Sequence, residues 1–429
     1  MQIHLRTLGC RLNEAELETW AQGFQNAGHQ ITREPGRADL IVINSCAVTQ
    51  DAARKSRQLI RRIHRDNPAA KLVVSGCYAT LNQDEASELM GVDLVVSNRE
   101  KNQLVDKTLS ELNFVSMPNM ATEPGETSLF IRGRQRAFVK VQDGCRYRCT
   151  FCIVTIARGE EQSRPVKTII DEINHLAEQR IKEIILTGVH LGGYGSDINS
   201  HLSELLQTIL AETDIPRIRL GSLEPWDLPE NFFQLFENQR LMPHLHLPLQ
   251  SGSDTVLRRM ARRCKTEEFS KIVRQAREQI PHFNLTTDII VGFPGETEQE
   301  WLESYDFIQQ TGFSHIHIFT YSPRQETKAA ILPNQVSNEV KKQRSQQLHQ
   351  LAENMKIKFQ QQNLGIIFPV LWEGQTEFQQ DGCIKIFGYT PNYLRVSTFC
   401  KTKLLLENQI IPSQTVAIKN GELIAEIED

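Results

Sequence analysis

Three cysteines lie close together in the stretch GCRYRCTFC, residues 144–152. They are Cys145, Cys149 and Cys152, separated by three and then two residues. A structural zinc site uses four protein ligands, and no fourth Cys or His follows nearby. Three thiolates can instead hold three irons of a 4Fe–4S cluster, which leaves the fourth iron open to a small molecule. The spacing therefore predicts a reactive iron–sulfur cluster, and a zinc site completed by a distant ligand is the alternative.

Three further cysteines each follow a predicted strand. Cys10 follows IHLRTLG, Cys46 follows LIVINS and Cys77 follows LVVSG. The carboxyl ends of parallel strands in an open α/β sheet meet at one crevice, where ligands usually bind. Burial as a small apolar side chain is the alternative for each cysteine. Because all three occupy equivalent strand ends, we expect a second three-thiolate cluster.

The elements that must position these cysteines fall into three segments and predict an α/β protein. Strands and helices alternate over residues 1–115, which predicts a doubly wound parallel sheet. Six strand candidates over residues 130–362 predict a βα barrel, complete or partial, followed by a long polar helix. Short strands and an Asn-Gly turn at 420–421 over residues 363–429 predict a small β-barrel. The Pro- and Gly-containing stretch 117–136 is predicted to be a linker.

Composition limits the class of protein. The 429 residues are 40% hydrophobic and 23% charged, which is typical of a globular chain with two or three domains. We find no signal peptide and no apolar run of the roughly 20 residues that would span a bilayer, so we expect a cytoplasmic protein without a membrane partner. Nine cysteines in that reducing compartment favour metal ligation over disulfides. The net charge of −4 excludes a wholly basic nucleic-acid binder but not a local basic patch.

Other candidate contacts lie at the carboxyl ends of the predicted barrel strands, where barrel active sites are built. In LTGVHLGGYG, small residues would let the backbone approach a ligand closely, although an ordinary turn explains them equally well. In SLEP and LPLQSG the polar side chains follow strands, and helix capping is the alternative for the serine. These cofactor-binding candidates are Gly188, Gly192, Gly193, Glu224, Gln250 and Ser251.

Two basic patches are candidates for contact with RNA phosphates. The first is a stripe on one predicted helix, and the second is the segment RRMARRCK, residues 258–265. The stripe consists of Arg54, Arg57, Arg61 and Arg65. Solvated charged faces are the alternative for both patches. Glu160 and Glu161 argue against RNA binding by the loop that follows the first cysteine set.

The ordered motifs together resemble the radical S-adenosylmethionine (SAM) methylthiotransferases. The motifs are TLGCRLN, NSCAVT, SGC, GCRYRCTFC, HLPLQSGSD and DIIVGFPGET, and the resemblance covers nearly the whole chain. Within the family, TLGCRLNEAE and NSCAVTQDAARKSRQLIRR are most similar to the branch that acts on threonylcarbamoyladenosine in tRNA. The C-terminal segment resembles a TRAM domain, a small RNA-binding barrel.

The resemblance implies two 4Fe–4S clusters. The cluster at Cys145, Cys149 and Cys152 would bind and cleave SAM, and the resulting radical would abstract hydrogen from C2 of a tRNA adenine. The cluster at Cys10, Cys46 and Cys77 would deliver sulfur to that carbon, and a second SAM would methylate it. The implied substrate is tRNA with N6-threonylcarbamoyladenosine at position 37.

The same resemblance implies two partners besides tRNA, an electron donor of the flavodoxin or ferredoxin type and a sulfur donor. Three alternative functions remain at the level of the sequence. Two of them are methylthiolation of isopentenyladenosine in tRNA and methylthiolation of a ribosomal protein. The third is RNA binding by a protein whose cysteines hold zinc.

Overall fold

The computed structural model describes residues 1–112, 135–229, 231–378, 383–400 and 406–428. The predicted linker at 117–136 lies outside this part of the chain, apart from its last two residues. A search of the described helices finds none with the length and apolar character that crossing a membrane requires.

The first sheet is wholly parallel, with strand order β2-β1-β3-β4-β5. Its strands are β1 (Gln2–Thr7), β2 (Gln30–Ile31), β3 (Leu40–Ser45), β4 (Lys71–Gly76) and β5 (Leu94–Val96). Its helices are α1 (Arg11–Asn26), α2 (Gln50–Asp66), α3 (Cys77–Leu81), α4 (Gln83–Ser87) and α5 (Leu104–Glu111). The parallel sheet predicted for this segment is confirmed.

Helices cover both faces of this sheet, as the apolar residues 40–43 of its central strand show. Successive side chains of a strand point to opposite faces. Accordingly, Leu40 and Val42 of β3 pack in the cluster that contains Trp20 of α1. The intervening Ile41 and Ile43 pack in the cluster that contains the apolar side of α2. A continuous apolar run in β3 is thus what a strand buried on both faces requires.

The central segment contains the six predicted strands in a curved parallel arrangement. Its strands are β6 (Arg136–Lys140), β7 (Gln142–Asp143), β8 (Gln162–Ser163), β9 (Glu183–Thr187), β10 (Arg217–Leu220), β11 (His244–His246), β12 (Asn284–Val291) and β13 (His315–Thr320). Two three-stranded sheets, β6-β9-β10 and β11-β12-β13, are joined by parallel bridges such as the one between Ile218 and Leu241. The small strands β7 and β8 pair with each other. The six parallel strands follow one another in chain order and form a partial barrel, one of the two forms that the sequence predicted.

Helices surround this partial barrel, and one long helix connects it to the last segment of the chain. They are α6 (Val154–Arg158), α7 (Val166–Glu178), α8 (Leu202–Glu212), α9 (Asp254–Arg259), α10 (Thr266–Gln279), α11 (Glu298–Thr311) and α12 (Asn338–Gln362). The buried residues of α7, α8 and α10 share one core cluster with the strands. The long polar helix predicted at the end of this segment corresponds to α12.

The last segment forms a closed five-stranded barrel in the order β14-β15-β16-β18-β17, as predicted. Its strands are β14 (Ile367–Phe378), β15 (Ile384–Tyr389), β16 (Arg395–Cys400), β17 (Ile410–Lys419) and β18 (Glu422–Ile427). Asn420 and Gly421 connect β17 to β18 with φ of 52° and 74°, as a two-residue hairpin turn requires.

This C-terminal barrel lies against the amino ends of the central strands. Arg217, at the start of β10, donates hydrogen bonds to the carbonyl of Tyr389 over 3.1 Å and to that of Pro369. Arg219 donates to the carbonyl of Pro391 over 3.1 Å and pairs with Glu183. The base of the central barrel is thus closed by the small barrel, which leaves the opposite strand ends available for a site.

Candidate active site

The first cysteine set lies in a loop that hydrogen bonds hold in place. The loop runs from β7 to α6, and the Cys145 N–H donates to the carbonyl of Gly159 over 3.1 Å. The Thr155 hydroxyl donates to the carbonyl of Tyr147 over 2.9 Å, which ties the middle of the loop to the helix that follows it. The Thr150 N–H donates to the carbonyl of Met260 over 3.0 Å, across the mouth of the barrel. The sulfur atoms are therefore carried by a preformed loop.

The three thiols of this loop are close enough to influence one another. Burial raises the pKa of Cys145 to about 11, and the neighbouring Cys149 contributes to that shift. Burial also raises the pKa of Cys152 to about 12, with contributions from both other cysteines. Such thiols are neutral by themselves, and only a bound metal ion deprotonates them. Three grouped, half-buried sulfur donors fit an iron–sulfur cluster with one open iron.

Gly144 sets the direction in which the chain enters this loop. Its φ is 69°, and a Cβ atom at this position would lie 1.9 Å from the carbonyl oxygen of Glu160. That oxygen belongs to the backbone and cannot move aside without displacing the loop. Glycine is therefore the residue that both the backbone conformation and the space require here.

We expect Gly144→Ala to lose the iron bound by this loop, because the collision with Glu160 displaces Cys145. The measurement is iron per chain after anaerobic reconstitution, with circular dichroism to follow the fold. Gly159→Ala is the matched control, since Gly159 also has a positive φ of 79° but no heavy atom lies within 4 Å of its added Cβ. Equal iron in the two variants would contradict this role of Gly144.

Glu224 lies beside the first cysteine set, as its position at a strand end suggested. Its carboxylate pairs with Arg262 at 2.7 Å, and the Arg262 guanidinium lies 4.3 Å from the centre of the Trp226 ring. Burial raises the pKa of Cys149, while Arg262 counteracts this and Glu224 adds to it. The ion pair thus places one positive and one negative group next to the sulfur atoms.

His190 forms the centre of a second polar group next to the first cysteine set. Its Nε2 lies 2.6 Å from a carboxylate oxygen of Asp227, and its Nδ1 contacts the carboxylate of Glu161. Burial lowers the pKa of His190, but the two carboxylates outweigh this and the pKa is raised. The Tyr147 hydroxyl donates to Asp227 over 2.8 Å. Glu161 is therefore part of a buried hydrogen-bond network, whereas Glu160 is exposed and pairs with Arg148 at 3.0 Å.

The glycines of LTGVHLGGYG are in contact with this network. A Cβ on Gly193 would lie 2.3 Å from His190 Nδ1, and a Cβ on Gly192 would lie 2.8 Å from the Asp227 Cβ. Gly188 instead borders a large cavity and would place a Cβ 2.9 Å from Gln142 Oε1. Gly192 and Gly193 thus pack closely against protein, whereas Gly188 lines the cavity, and a role of the three glycines in SAM binding stays a prediction.

Gln250 and Ser251 are both buried at the carboxyl ends of the central strands. The Gln250 backbone bridges to β12, since its N–H donates to the carbonyl of Asp288 over 2.8 Å. The Ser251 hydroxyl accepts a hydrogen bond from the Ser253 N–H over 3.2 Å, near the start of α9. These contacts are structural, and they leave a role in SAM binding as a prediction.

The second cysteine set converges at the carboxyl ends of β1, β3 and β4. Cys46 and Cys77 are 6% and 4% exposed. Cys10 is exposed and lines a cavity in the protein. Burial raises the pKa of Cys10, and it raises the pKa of Cys46 to about 11, with Cys77 contributing to both shifts. A Cβ on Gly9 would lie 2.8 Å from the Cys46 Cβ, so glycine lets the two strand ends approach. These three thiols also fit a soft metal cluster.

A cavity of about 1050 Å³ lies where the three segments of the chain meet. All three cysteines of the second set line one wall, and Tyr389 and Tyr393 of the C-terminal barrel line another. The central strands contribute four histidines, two from β11 and two from β13. These are His244, His246, His315 and His317. The histidines thus line a space large enough for a nucleoside-sized group.

A buried ion network connects the two cysteine sets. The Arg158 guanidinium, at the end of α6, donates to Glu16 over 2.9 Å and to Asp143 over 3.1 Å. Lys101 donates to Glu16 over 2.7 Å, and Lys140 lies 3.7 Å from the same carboxylate. Burial raises the pKa of Glu16, but these cations reverse that and hold it far below the ordinary value.

The network fixes the distance between the loop of the first set and the helix of the second. Arg158 also donates to the Asn13 side chain over 2.8 Å, three residues beyond Cys10. Asp143 precedes the first cysteine loop directly, and Arg158 follows it. Asp143 and Arg158 were not predicted from the sequence, although two opposite charges that flank a cysteine motif could have indicated them.

The second basic patch is largely engaged within the protein. Arg259 forms a two-point ion pair with Glu300, with both distances 2.8 Å, and Arg262 pairs with Glu224. In the stripe on α2, Arg57 lies 3.4 Å from Glu85. RNA contact by these patches stays a prediction, and Arg259 and Arg262 are poor candidates for it.

The chain matches two family models. Residues 2–97 match the model described as Uncharacterized protein family UPF0004, and residues 139–308 match the Radical SAM superfamily. The first match covers the sheet that carries Cys10, Cys46 and Cys77, and the second covers most of the partial barrel, including the other three cysteines.

Several named relatives align over most of the chain. Threonylcarbamoyladenosine tRNA methylthiotransferase MtaB of Thermotoga maritima is 37% identical, over 85% of this chain and 84% of the relative. The protein of the same name from Bacillus subtilis is 36% identical, over 92% of this chain and 89% of the relative. The tRNA-2-methylthio-N(6)-dimethylallyladenosine synthase of Bacillus mycoides is 33% identical, over 99% of this chain and 86% of the relative.

A solved structure has a similar fold. It is the radical S-adenosylmethionine methyltransferase TsrM from Kitasatospora setae, with cobalamin and a [4Fe-4S] cluster bound. Its TM-score is 0.58 at 16% sequence identity, and the match covers 77% of each chain. At that identity the match concerns the fold alone.

Proposed function

The chain belongs to the radical SAM tRNA methylthiotransferases, and we propose that it converts N6-threonylcarbamoyladenosine at position 37 of tRNA to the 2-methylthio derivative. It is an enzyme that uses SAM and 4Fe–4S clusters, and tRNA is its substrate. The observation that carries the proposal is the cavity at which the second cysteine set and the central barrel meet.

Each cysteine set receives one role in this proposal. Cys145, Cys149 and Cys152 hold the cluster that binds SAM, and their loop at the mouth of the barrel supports this. Cys10, Cys46 and Cys77 hold the second cluster, and their position in the wall of the cavity supports it. When reduced, a SAM-bound cluster supplies the radical that removes hydrogen from carbon.

The chain's own residues provide positioning and shielding for this chemistry. Glu224 and Arg262 lie beside the first set, and Gly188 opens the barrel wall towards the cavity. The network around Arg158 holds the loop of the first set against the helix of the second. Tyr389 and Tyr393 line the cavity on the side of the C-terminal barrel.

We assign the sheet of residues 1–115 to the second cluster and residues 130–362 to SAM chemistry. Residues 363–429, the C-terminal barrel, are assigned to RNA binding. Six residues remain proposed SAM contacts, supported by their place at the carboxyl ends of the central strands: Gly188, Gly192, Gly193, Glu224, Gln250 and Ser251. An electron donor of the flavodoxin or ferredoxin type and a sulfur donor complete the proposed reaction, which takes place in the cytoplasm, where tRNA is found.

The substrate is tested by mass spectrometry of tRNA nucleosides from cells that lack this protein. We expect 2-methylthio-threonylcarbamoyladenosine to disappear and unmethylthiolated threonylcarbamoyladenosine to accumulate, because the protein adds the group at C2. The 2-methylthio-isopentenyl nucleoside serves as the internal control and should be unchanged. The reverse pattern would assign the protein to isopentenyladenosine, the substrate class in the name of the Bacillus mycoides relative.

A further inference from the structure

Arg11 places a positive charge in the cavity next to the second cysteine set. It follows Cys10 directly and is the first residue of α1. One hydrogen bond occupies its guanidinium, from Nη2 to the Tyr393 hydroxyl over 3.1 Å. Among the described residues no carboxylate forms an ion pair with Arg11. Because a guanidinium has five N–H donors, the fork of Arg11 is largely free to bind an anion.

The acidic groups that line the same cavity already have cationic or histidine partners. Asp288 lies 3.3 Å from His246 Nε2, and Glu422 pairs with Lys385. Arg158 forms ion pairs with Glu16 and Asp143. Among the described residues of the wall that carries the cysteines, Arg11 is therefore the cation without an ion-pair partner.

Arg395, on the C-terminal barrel, is a second cation that lines the cavity and has no ion-pair partner in the described part of the chain. Arg395 is exposed, and its guanidinium lies 4.0 Å from the centre of the Phe387 ring. It belongs to β16 of the C-terminal barrel, whereas Arg11 is adjacent to a proposed cluster ligand. Of the two, only Arg11 is placed by the chain itself beside the sulfur that must reach the adenine.

We propose that Arg11 binds the carboxylate of the threonylcarbamoyl group and so selects this substrate over adenosines with an uncharged N6 substituent. This inference rests on the proposed function. In adenine, C2 and the carbon that carries N6 both flank the ring nitrogen N1. A base whose C2 faces the second cysteine set therefore holds its N6 substituent beside that set, where Arg11 lies. An isopentenyl group offers no anion and would leave the guanidinium unpaired, which a site built for a charged group rejects.

The preference is measured with three anticodon stem-loops that differ only at N6 of adenosine 37. One carries the threonylcarbamoyl group, one carries its primary carboxamide, which has the same shape but no charge, and one is unmodified. Binding to the anaerobic holoenzyme, without reductant, is followed by fluorescence anisotropy at one fixed salt concentration. We expect the acid to bind about 10- to 100-fold more tightly than the carboxamide, as charge-assisted bonds to a fork allow.

Arg11→Met is expected to abolish this preference while its affinity for the unmodified stem-loop stays unchanged. Arg6→Met is the matched control, because it removes the same charge from an exposed position of β1 that does not line the cavity. Iron per chain and formation of 5′-deoxyadenosine show whether the Arg11 variant keeps both clusters. Arg11→Lys keeps the charge without the fork and should retain part of the preference.

Three results would overturn the inference. Equal weakening of all three stem-loops by Arg11→Met would mean that Arg11 binds phosphate. Loss of the preference in Tyr393→Phe would mean that Arg11 acts only by anchoring Tyr393. A wild-type enzyme that binds acid and carboxamide equally would leave nothing for Arg11 to recognise.

The inference and the proposed function fail in different ways. Suppose that the wild type, with reductant, forms product on the threonylcarbamoyl stem-loop and that Arg11→Met keeps the preference for the acid. Such a result rejects the inference alone. Product on an isopentenyl stem-loop and none on the threonylcarbamoyl stem-loop rejects the proposed function, and the inference falls with it.

Discussion

Replacing Cys10, Cys46 and Cys77 together by alanine is expected to give a protein that cleaves SAM but forms no methylthiolated tRNA. The other three cysteines lie in a separate loop, held by hydrogen bonds to Gly159 and Met260. That loop keeps its ligands in the variant, so one cluster and the production of 5′-deoxyadenosine should remain. No sulfur carrier would remain in the wall of the cavity.

The measurements are iron per chain, 5′-deoxyadenosine under reducing conditions and methylthiolated nucleoside in the same reaction. We expect about half the iron of the wild type because one of two equal clusters is lost. If the three cysteines only fill space in the sheet, each alanine would leave a small cavity and cost about 1 kcal/mol or more of stability. Unchanged iron with product still formed would establish that packing role and reject the second cluster.

A complementary variant separates the two sets further. Cys149→Ala should abolish 5′-deoxyadenosine because it removes one ligand of the SAM-binding cluster, while iron at the second set remains. Without the radical, Cys149→Ala should also form no methylthiolated tRNA, so the two variants should differ in 5′-deoxyadenosine at similar iron content. Loss of 5′-deoxyadenosine in the triple variant as well would mean that the first set depends on the second for folding.

The fold could be predicted largely from periodicity and the cysteine sites from strand ends. The first four residues of β3, 40–43, form an apolar run because helices cover both faces of the strand, and Cys46 follows the strand directly. A strand of this kind is visible in the sequence because every residue that specifies it is contiguous. The same holds for the hairpin at Asn420 and Gly421, where two adjacent residues set the turn.

What could not be predicted depends on how separate elements dock. Glu160 and Glu161 are neighbours in sequence, yet one is exposed beside Arg148 and the other is buried against His190. No local pattern distinguishes them, because the difference arises from the loop after β9. The contacts of Arg217 and Arg219 with the C-terminal barrel are likewise invisible in a strand whose residues alternate between apolar and charged.

Glu16→Gln is expected to lower the free energy of unfolding by about 3–5 kcal/mol, the range for breaking a buried ion pair. Glu16 is 2% exposed and contacts Lys101, Lys140 and Arg158. Glutamine keeps the shape of the side chain but removes its charge. Only Asp143 then remains to balance three buried cations, which is why the effect should be large. Urea unfolding followed by the helical signal measures the change.

The matched control is Glu14→Gln, which makes the same substitution on the same helix. Glu14 has no ion-pair partner in the described part of the chain, so its replacement should change stability by no more than about 0.5 kcal/mol. A double variant, Glu16→Gln with Arg158→Met, returns the network to its original net charge. It should therefore be less destabilised than the sum of the two single variants.

The same substitution should separate SAM cleavage from methylthiolation. Arg158 depends on Glu16 for its position, and it also donates to Asn13, three residues from Cys10. Loosening that contact changes the distance between the two cysteine sets without removing a ligand from either. We therefore expect Glu16→Gln to retain its iron but to form fewer methylthiolated nucleosides for each SAM cleaved. A variant that is less stable but forms as many methylthiolated nucleosides for each SAM cleaved as the wild type would show that the network stabilises the fold without aligning the two clusters.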